Sequence, residues 1–109
     1  MAYKSCEEFR LADMIVDAVC KVGQINYFEF ILAPKSTNLS TLRGVCCVMA
    51  WEYNVHARKM AKLMMRSRGN VLNQQKRYRH LLQVGDKLTV DIYNKVREEL
   101  NNNIKHGKV

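Results

Sequence analysis

Apolar residues recur at helical spacing along most of the chain, and short polar or glycine-containing segments separate the runs. The first run has its apolar residues on one helical face: Leu11, Ile15, Ala18, Val19 and Val22. Ser5 and Glu8 precede it in the arrangement of a capping box, and Gly23 follows it. The pattern predicts a first helix from about Ser5 to Gly23.

A second, short helix is expected where the cap pattern repeats ahead of an aromatic-rich hexad. Asn26 and Glu29 stand three residues apart, so each side chain can bond to the backbone N–H group of the other residue. Pro34 must end this element, because proline lacks a backbone N–H group and restricts the residue before it. The aromatic residues also favour a β-strand, but a lone short strand would have no pairing partner in this chain.

Two more helices are predicted between the polar loop at 35–38 and residue 65. Ser40 or Thr41 can cap the first of them, and Asn54 ends it. The apolar face of this helix comprises Leu42, Val45, Cys46, Met49 and Tyr53. The next helix covers 55–65, and its inward residues are Ala57, Met60, Ala61 and Met64.

The C-terminal part of the pattern predicts a long helix and a final amphipathic helix. Ser67 can cap a helix that runs to about Gln83, and Gly85 ends it. The buried stripe of this helix is expected to comprise Val71, Gln75, Tyr78 and Leu82. A last helix is predicted over about 87–101, and its apolar face comprises Val90, Tyr93, Val96 and Leu100. This face could pack on its own domain or pair two copies into a homodimer. With no sustained strand alternation, the expected class is all-α, and residues 1–109 are expected to form one domain.

The positive charge of the protein is concentrated in one segment. The chain has 18 basic and 10 acidic residues, a formal net charge of +8. Residues 53–85 contain no acidic side chain but eight basic ones: Arg58, Lys59, Lys62, Arg66, Arg68, Lys76, Arg77 and Arg79. This segment alone therefore accounts for the net charge. Because like charges repel one another and destabilise the folded state, their concentration indicates an anionic partner.

The same segment has the pattern of a helix-turn-helix over about 55–83. Such a motif needs a small residue where its two helices cross, and a polar second helix that is free to enter the major groove of DNA. Met60 and Ala61 provide the crossing, and Val71 anchors the second helix. Met65 stands near the place where the turn glycine of such motifs usually lies.

The second helix would present DNA-facing residue types on its outer side. At about 100° per residue, the face opposite the core carries Gly69, Asn73, Lys76, Arg77 and His80. The residues assigned to base contacts are Ser67, Arg68, Gly69, Asn73 and Arg77. The residues assigned to phosphate contacts are Lys35, Arg43, Lys59, Lys62, Arg66, Lys76, Arg79 and His80. Without a side chain, Gly69 would let the backbone approach the duplex closely, unless it is simply a helix-start glycine.

A family resemblance covers about residues 14–82. It is carried by Met49-Ala50-Trp51, by the run from Val55 to Met64, and by the hexapeptide Arg66-Ser67-Arg68-Gly69-Asn70-Val71. This order resembles the C-terminal DNA-binding domain of the bacterial replication initiator DnaA. The resemblance implies a Trp-repressor-like helical bundle that contains a helix-turn-helix, and the apolar pattern adds the C-terminal amphipathic helix to it.

The hexapeptide departs from the family signature, which reads Arg-Asp-His-Thr/Ser-Thr-Val. Arg66 and Val71 agree with it, and the four residues between them do not. In the family the Asp, His and Thr contact bases, so the resemblance implies the docking mode but a different target sequence. The family's basic minor-groove loop would correspond to the region of Lys35 and Arg43. The 109 residues contain no nucleotide-binding module, so replication initiation is not implied.

Double-stranded DNA is the predicted partner, and two other partners remain open. An acidic protein or RNA could bind the same basic face. RNA readers usually display aromatic side chains for base stacking, whereas Tyr78 falls on the buried stripe. The arrangement of Asn73, Lys76 and Arg77 on one face favours DNA over an acidic protein.

The sequence favours neither enzymatic chemistry nor a cofactor. It shows no glycine-rich phosphate loop and no paired carboxylates. Its cysteines lack the spacing of a zinc site and are expected to be small buried apolar residues: Cys6, Cys20, Cys46 and Cys47. The longest uncharged stretch, 44–51, is far shorter than the roughly 20 residues that span a bilayer. We therefore expect a cytoplasmic protein that binds no metal and enters no membrane.

Overall fold

Six α-helices follow one another in the computed structural model, which describes the backbone of residues 2–34 and 36–105 and the side chains of 10–34 and 36–103. They are α1 (Ala2–Gly23), α2 (Tyr27–Leu32), α3 (Thr37–Glu52), α4 (Ala57–Met64), α5 (Arg68–Gln83) and α6 (Lys87–Lys105). No strand occurs in these ranges, which confirms the all-α class and rules out a strand at α2. The radius of gyration is 13.0 Å, a value typical of a single compact domain of about 100 residues.

Helix α3 lies in the middle of the bundle. It packs against α1, α4, α5 and α6, and every residue over 41–50 is buried. The sequence pattern predicted one apolar face for this helix, and that prediction was too narrow. Small side chains on its other faces, such as Cys47 and Ala50, allow neighbouring helices to approach from several directions. The bundle is therefore built around α3.

Two of the predicted helix caps are wrong. Helix α1 begins at Ala2, so Ser5 lies inside the helix and does not cap it. Helix α3 is capped by Ser36, whose Oγ accepts a hydrogen bond of 3.2 Å from the N–H group of Leu39. Ser36 has extended backbone, and it is the first residue after Pro34 whose side chain can accept such a bond. The Thr41 hydroxyl, which was expected to cap this helix, instead lies one turn inside it and donates to a backbone carbonyl.

Two other predicted caps are confirmed. Asn26 and Glu29 form a reciprocal capping box at the start of α2, with N···O distances of 2.8 and 3.0 Å. Ser67 caps α5 by accepting a 3.1 Å hydrogen bond from the N–H group of Asn70. In both cases the side-chain oxygen accepts from the N–H group three residues further on, which is the bond that an N-cap residue makes.

Helix α6 packs back onto its own domain. The helix contacts α1, α3 and α5, and its buried residues are Thr89, Ile92, Val96 and Leu100. Of the apolar face that was considered for a homodimer, Val96 and Leu100 are therefore buried within one chain, whereas Val90 and Tyr93 are half-buried. The helix follows Asp86, whose carboxylate accepts hydrogen bonds of 3.1 Å from the Thr89 N–H group and 2.6 Å from its hydroxyl. These bonds, the side-chain one foremost, lower the pKa of the Asp86 carboxyl.

Three cysteine side chains lie in the core, as the sequence predicted. The Cys46 thiol contacts the Met60 sulfur at 3.7 Å, and the Cys47 thiol contacts the Met64 sulfur at 3.8 Å, so both link α3 to α4. Burial raises the pKa of Cys47 to about 12 and, with a contribution from Asp17, that of Cys20 to about 11. These thiols therefore stay protonated at neutral pH and pack as apolar groups. The side chain of Cys6 lies outside the described residues.

Met65 ends α4 in the left-handed region, with φ 55° and ψ 45°. This is the conformation that glycine adopts most easily at a helix C-terminus, so the methionine carries strain at the place where a turn glycine was absent from the sequence. Its side chain is 65% exposed and provides little packing in return. The predicted end of α4 at residue 65 was one residue too long, and its predicted start at Val55 was two residues too early.

Replacing Met65 with glycine should therefore stabilise the protein. We expect Met65→Gly to raise the free energy of unfolding by about 1 kcal/mol, measured by urea denaturation followed by circular dichroism. Met65→Ala is the matched control, because it removes the same exposed side chain but keeps the Cβ atom that causes the strain. A gain of equal size in both variants would show that the side chain, and not the backbone conformation, was unfavourable.

Candidate nucleic-acid interface

Helices α4 and α5 form the basic side of the molecule. They are joined by residues 65–67, and α5 packs mainly against α3 and α4. The outer face of α5 is exposed in full, as the spacing predicted, and its residues are Gly69, Asn73, Lys76, Arg77 and His80. No carboxylate lies on either helix. The result is a ridge of amide and cationic groups pointing to solvent.

Close packing on α3 sets the orientation of this ridge. Val71, Gln75 and Tyr78 are the buried residues of α5. The ring of Tyr78 lies against the backbone of α3 at Gly44, where a Cβ atom would come within 2.2 Å of the ring. Because only glycine leaves this space, Gly44 lets α5 approach α3 closely and turns the opposite face outward.

Gly69 has open space around it in the free protein. A Cβ atom built there would have only the Ser67 hydroxyl oxygen as a neighbour, at 4.0 Å. No contact within the described structure therefore requires a glycine at this position. The exposed backbone of the first turn of α5 is thus accessible to an external group.

Arg43 was predicted to contact phosphate, and the structure corrects that assignment. The residue is only 9% exposed, and its guanidinium donates hydrogen bonds of 2.8 Å to the Phe30 carbonyl and 3.0 Å to the Ala33 carbonyl. It thus ties α3 to the C-terminal end of α2, where free carbonyl groups favour a cation. Burial, with a smaller contribution from the charge of Arg66, lowers the pKa of Arg43.

Arg66 is also engaged within the protein. Its guanidinium donates a 3.2 Å hydrogen bond to the Ile31 carbonyl and two of 3.3 Å to the carbonyls of Met64 and Met65. It therefore joins α2 to the turn between α4 and α5. Sequence reasoning missed this role because the carbonyl groups that attract both arginines come together only in the folded chain.

The other predicted phosphate contacts fall into different environments. Lys62 is exposed and Lys59 is half-buried on α4. Arg79 stacks over the ring of Trp51, with its guanidinium carbon 3.7 Å from the ring centroid. Lys35 lies outside the described residues. The cations that remain open on the outer surface are therefore fewer than the charge count suggested.

Arg68 lies on one flank of α5 and not on its outer face. Together with Leu72 and Gln75 it lines a groove of about 620 Å³, whose opposite wall is formed by residues 51–52 and 54–57. We call this the flank groove. Sequence reasoning missed it because Trp51 and Gln75 belong to different helices and come together only in the folded chain. The one available signal was that Arg68, Leu72, Gln75 and Arg79 are spaced to form a stripe along α5.

Comparison with known proteins assigns this chain to no family, so its class is described from its structure. No protein-family model, curated protein or solved structure matches the chain. The structure defines a small all-helical protein with one strongly basic side. Each helix in the described ranges is too short or too polar to cross a membrane. Among the same residues, no three His, Cys, Asp or Glu side chains come together as a metal site would require.

Proposed function

We propose that the protein binds double-stranded DNA, without catalysis, by laying α5 into the major groove as the second helix of a helix-turn-helix. The observation that carries the proposal is the outer face of α5, which is exposed along its length and bears only glycine, amide, imidazole and cationic positions. A helix of 16 residues is about 24 Å long, and the B-DNA major groove is wide enough to admit it.

The residues on this face divide into two kinds of contact. Asn73 and Arg77 are suited to base edges, since Asn pairs with adenine and Arg with guanine. Lys62 and Lys76 neutralise phosphates, and the first N–H groups of α5 add an anion-binding end. The exposed backbone at Gly69 gives room for close approach to the duplex.

The order of helices supports a docking mode like that of DnaA and the Trp repressor. Helix α4 and the short turn at 65–67 lead directly into α5, as a helix-turn-helix requires. The Ser67 hydroxyl serves as the cap of α5, which leaves it a minor part in base reading. The residues between Arg66 and Val71 differ from the DnaA signature, so we propose a target other than the initiator's own sequence, in a regulator or an accessory factor of replication or mobile elements.

The division between base and phosphate contacts can be tested with two alanine variants. Asn73→Ala should cost about 1–3 kcal/mol of discrimination at one base pair, whereas Lys76→Ala should weaken binding to all duplexes alike. The target is first obtained by selection from random duplexes, and affinities are then measured by fluorescence anisotropy. Lys95→Ala on α6 is the control, because it removes the same charge from a helix that the proposal leaves off the DNA.

Several outcomes would contradict the proposal. If Asn73→Ala and Lys76→Ala changed sequence preference equally, the assigned division would be wrong. If no duplex bound at low salt while RNA or an acidic protein did, the basic face would belong to one of those partners. Loss of affinity in Lys95→Ala as large as in Lys76→Ala would show that net charge, and not the α5 face, controls binding.

A further inference from the structure

Side chains of three chemical types line the flank groove. Arg68, Leu72 and Gln75 face it from α5, and Trp51 faces it from the end of α3. A volume of about 620 Å³ lies within the roughly 300–1,000 Å³ that small-molecule sites usually have. The groove thus offers an aromatic ring, an amide and a guanidinium to one ligand.

Trp51 is the aromatic platform of the groove. It is 47% exposed, although tryptophan usually buries most of its large apolar surface. Arg79 covers one face of the ring at 3.7 Å and supports it from that side. The exposed remainder contributes to the wall of the flank groove, so a second planar group can stack there.

Gln75 carries the strongest indication of a ligand. The residue is only 6% exposed, and it lines the groove. Within the described part of the chain its amide makes no hydrogen bond, and no fully buried side-chain nitrogen or oxygen there lacks a partner. The amide is therefore open to solvent through the groove. Because the hydrogen-bonding groups of this nearly buried amide open only into the groove, they are placed to fix the orientation of a ligand bound there.

Two oppositely charged side chains line the groove, Arg68 and Glu52. Arg68 is exposed at one end, where it can reach an anionic group. The acidic residue on the wall, Glu52, is held from the other side by the Tyr93 hydroxyl, which donates to it at 2.7 and 2.8 Å. Arg97 lies 4.0 Å from the same carboxylate and offsets its charge.

We propose that the flank groove binds one unstacked adenine nucleotide. The base stacks on Trp51 and against Leu72, as bases do on aromatic platforms. The Gln75 amide pairs with the adenine edge, to which an amide can bond in a bidentate manner. Arg68 contacts the nucleotide phosphate. The nucleotide can come from two sources, an unpaired base next to the duplex on α5 or a free nucleotide in solution. For the first source, the proposal rests on the proposed DNA-binding function and deepens it.

The test uses the fluorescence of Trp51, which is the one tryptophan of the chain. The probes are a perfect duplex, the same duplex with one bulged adenine, the same duplex with one bulged thymine, and adenosine monophosphate. We expect the bulged adenine to quench Trp51 and to bind about tenfold more tightly than the perfect duplex. The bulged thymine should gain less, because its edge offers a different hydrogen-bond pattern.

Two glutamine variants give a matched comparison. Gln75→Met removes the amide within a similar volume, and it should abolish the adenine preference while leaving binding to the perfect duplex unchanged. Gln74→Met makes the same change on the opposite flank of α5 and should leave the preference intact. Thermal unfolding followed by circular dichroism checks that both variants fold. A preference that survived in Gln75→Met would overturn the assignment of the amide.

The outcomes separate this inference from the proposed function. Tight binding to the perfect duplex, with neither quenching nor an adenine preference, would overturn the nucleotide site and leave the duplex function standing. Quenching by adenosine monophosphate that depends on Gln75, without duplex binding, would support the site with a free nucleotide and overturn the duplex function. Failure of all four probes would overturn both.

Discussion

Gly44→Ala should lower the free energy of unfolding by about 3 kcal/mol, although it adds only one methyl group. The added Cβ atom would lie 2.2–2.4 Å from three carbon atoms of the Tyr78 ring. Tyr78 is 5% exposed and lies in the contact between α5 and α3, so the ring has little room to move. Chemical denaturation followed by the fluorescence of Trp51 measures the loss.

Gly69→Ala is the matched control for that variant. It makes the same chemical change in an exposed helix position where nothing lies within contact distance except the Ser67 oxygen at 4.0 Å. Alanine is favoured over glycine inside helices by roughly 1 kcal/mol, so this variant should be slightly more stable than the parent. Equal destabilisation in both variants would show that the contact with Tyr78 is not the cause.

A double variant isolates the steric contact itself. In a Tyr78→Ala background the space next to residue 44 is empty, so adding Gly44→Ala should cost almost nothing. The two changes should therefore be strongly non-additive, with an interaction energy of about 2–3 kcal/mol. Additive effects would mean that alanine at position 44 destabilises α3 by some other route.

Raising the salt concentration should produce the largest change in DNA affinity. The exposed lysines on α4 and α5 are Lys62 and Lys76. With these two neutralising phosphates, increasing monovalent salt from about 50 to 200 mM should weaken binding roughly 12-fold through counterion release. Fluorescence anisotropy titrations over a series of salt concentrations measure the slope.

A single lysine variant checks that this slope comes from the α5 face. Lys76→Ala should reduce the slope of log affinity against log salt by about 0.9, and Lys95→Ala should leave it unchanged. Affinity that does not depend on salt would contradict phosphate contacts altogether. A slope that fell in both variants would place the DNA on more than one side of the molecule.

The fold was predictable wherever local signals agreed with one another. The capping box at Asn26 and the cap at Ser67 both follow from local spacing, and both helices begin where the sequence indicated. The start of α3 was wrong because Ser36, Ser40 and Thr41 are all capable caps. Ser36 has extended backbone and makes the cap in the folded chain, which local spacing alone did not determine.

The candidate site was predictable only in part. The exposed face of α5 followed from periodicity, since the positions of Asn73 and Lys76 relative to Val71 determine on which side they lie. The roles of Arg43 and Arg66 did not follow, because both depend on carbonyl groups of α2 that are distant in sequence. Charge alone could not distinguish these engaged cations from free ones.

The sequence by itself determined six amphipathic or apolar segments, their helical class and the concentration of positive charge in residues 53–85. These properties depend on local spacing and composition, which the chain carries before it folds. Only the tertiary structure decided which arginines are free, how closely α5 approaches α3 at Gly44, and that Trp51 and Gln75 share one groove. These features depend on contacts between residues far apart along the chain, and close packing of the helices sets them.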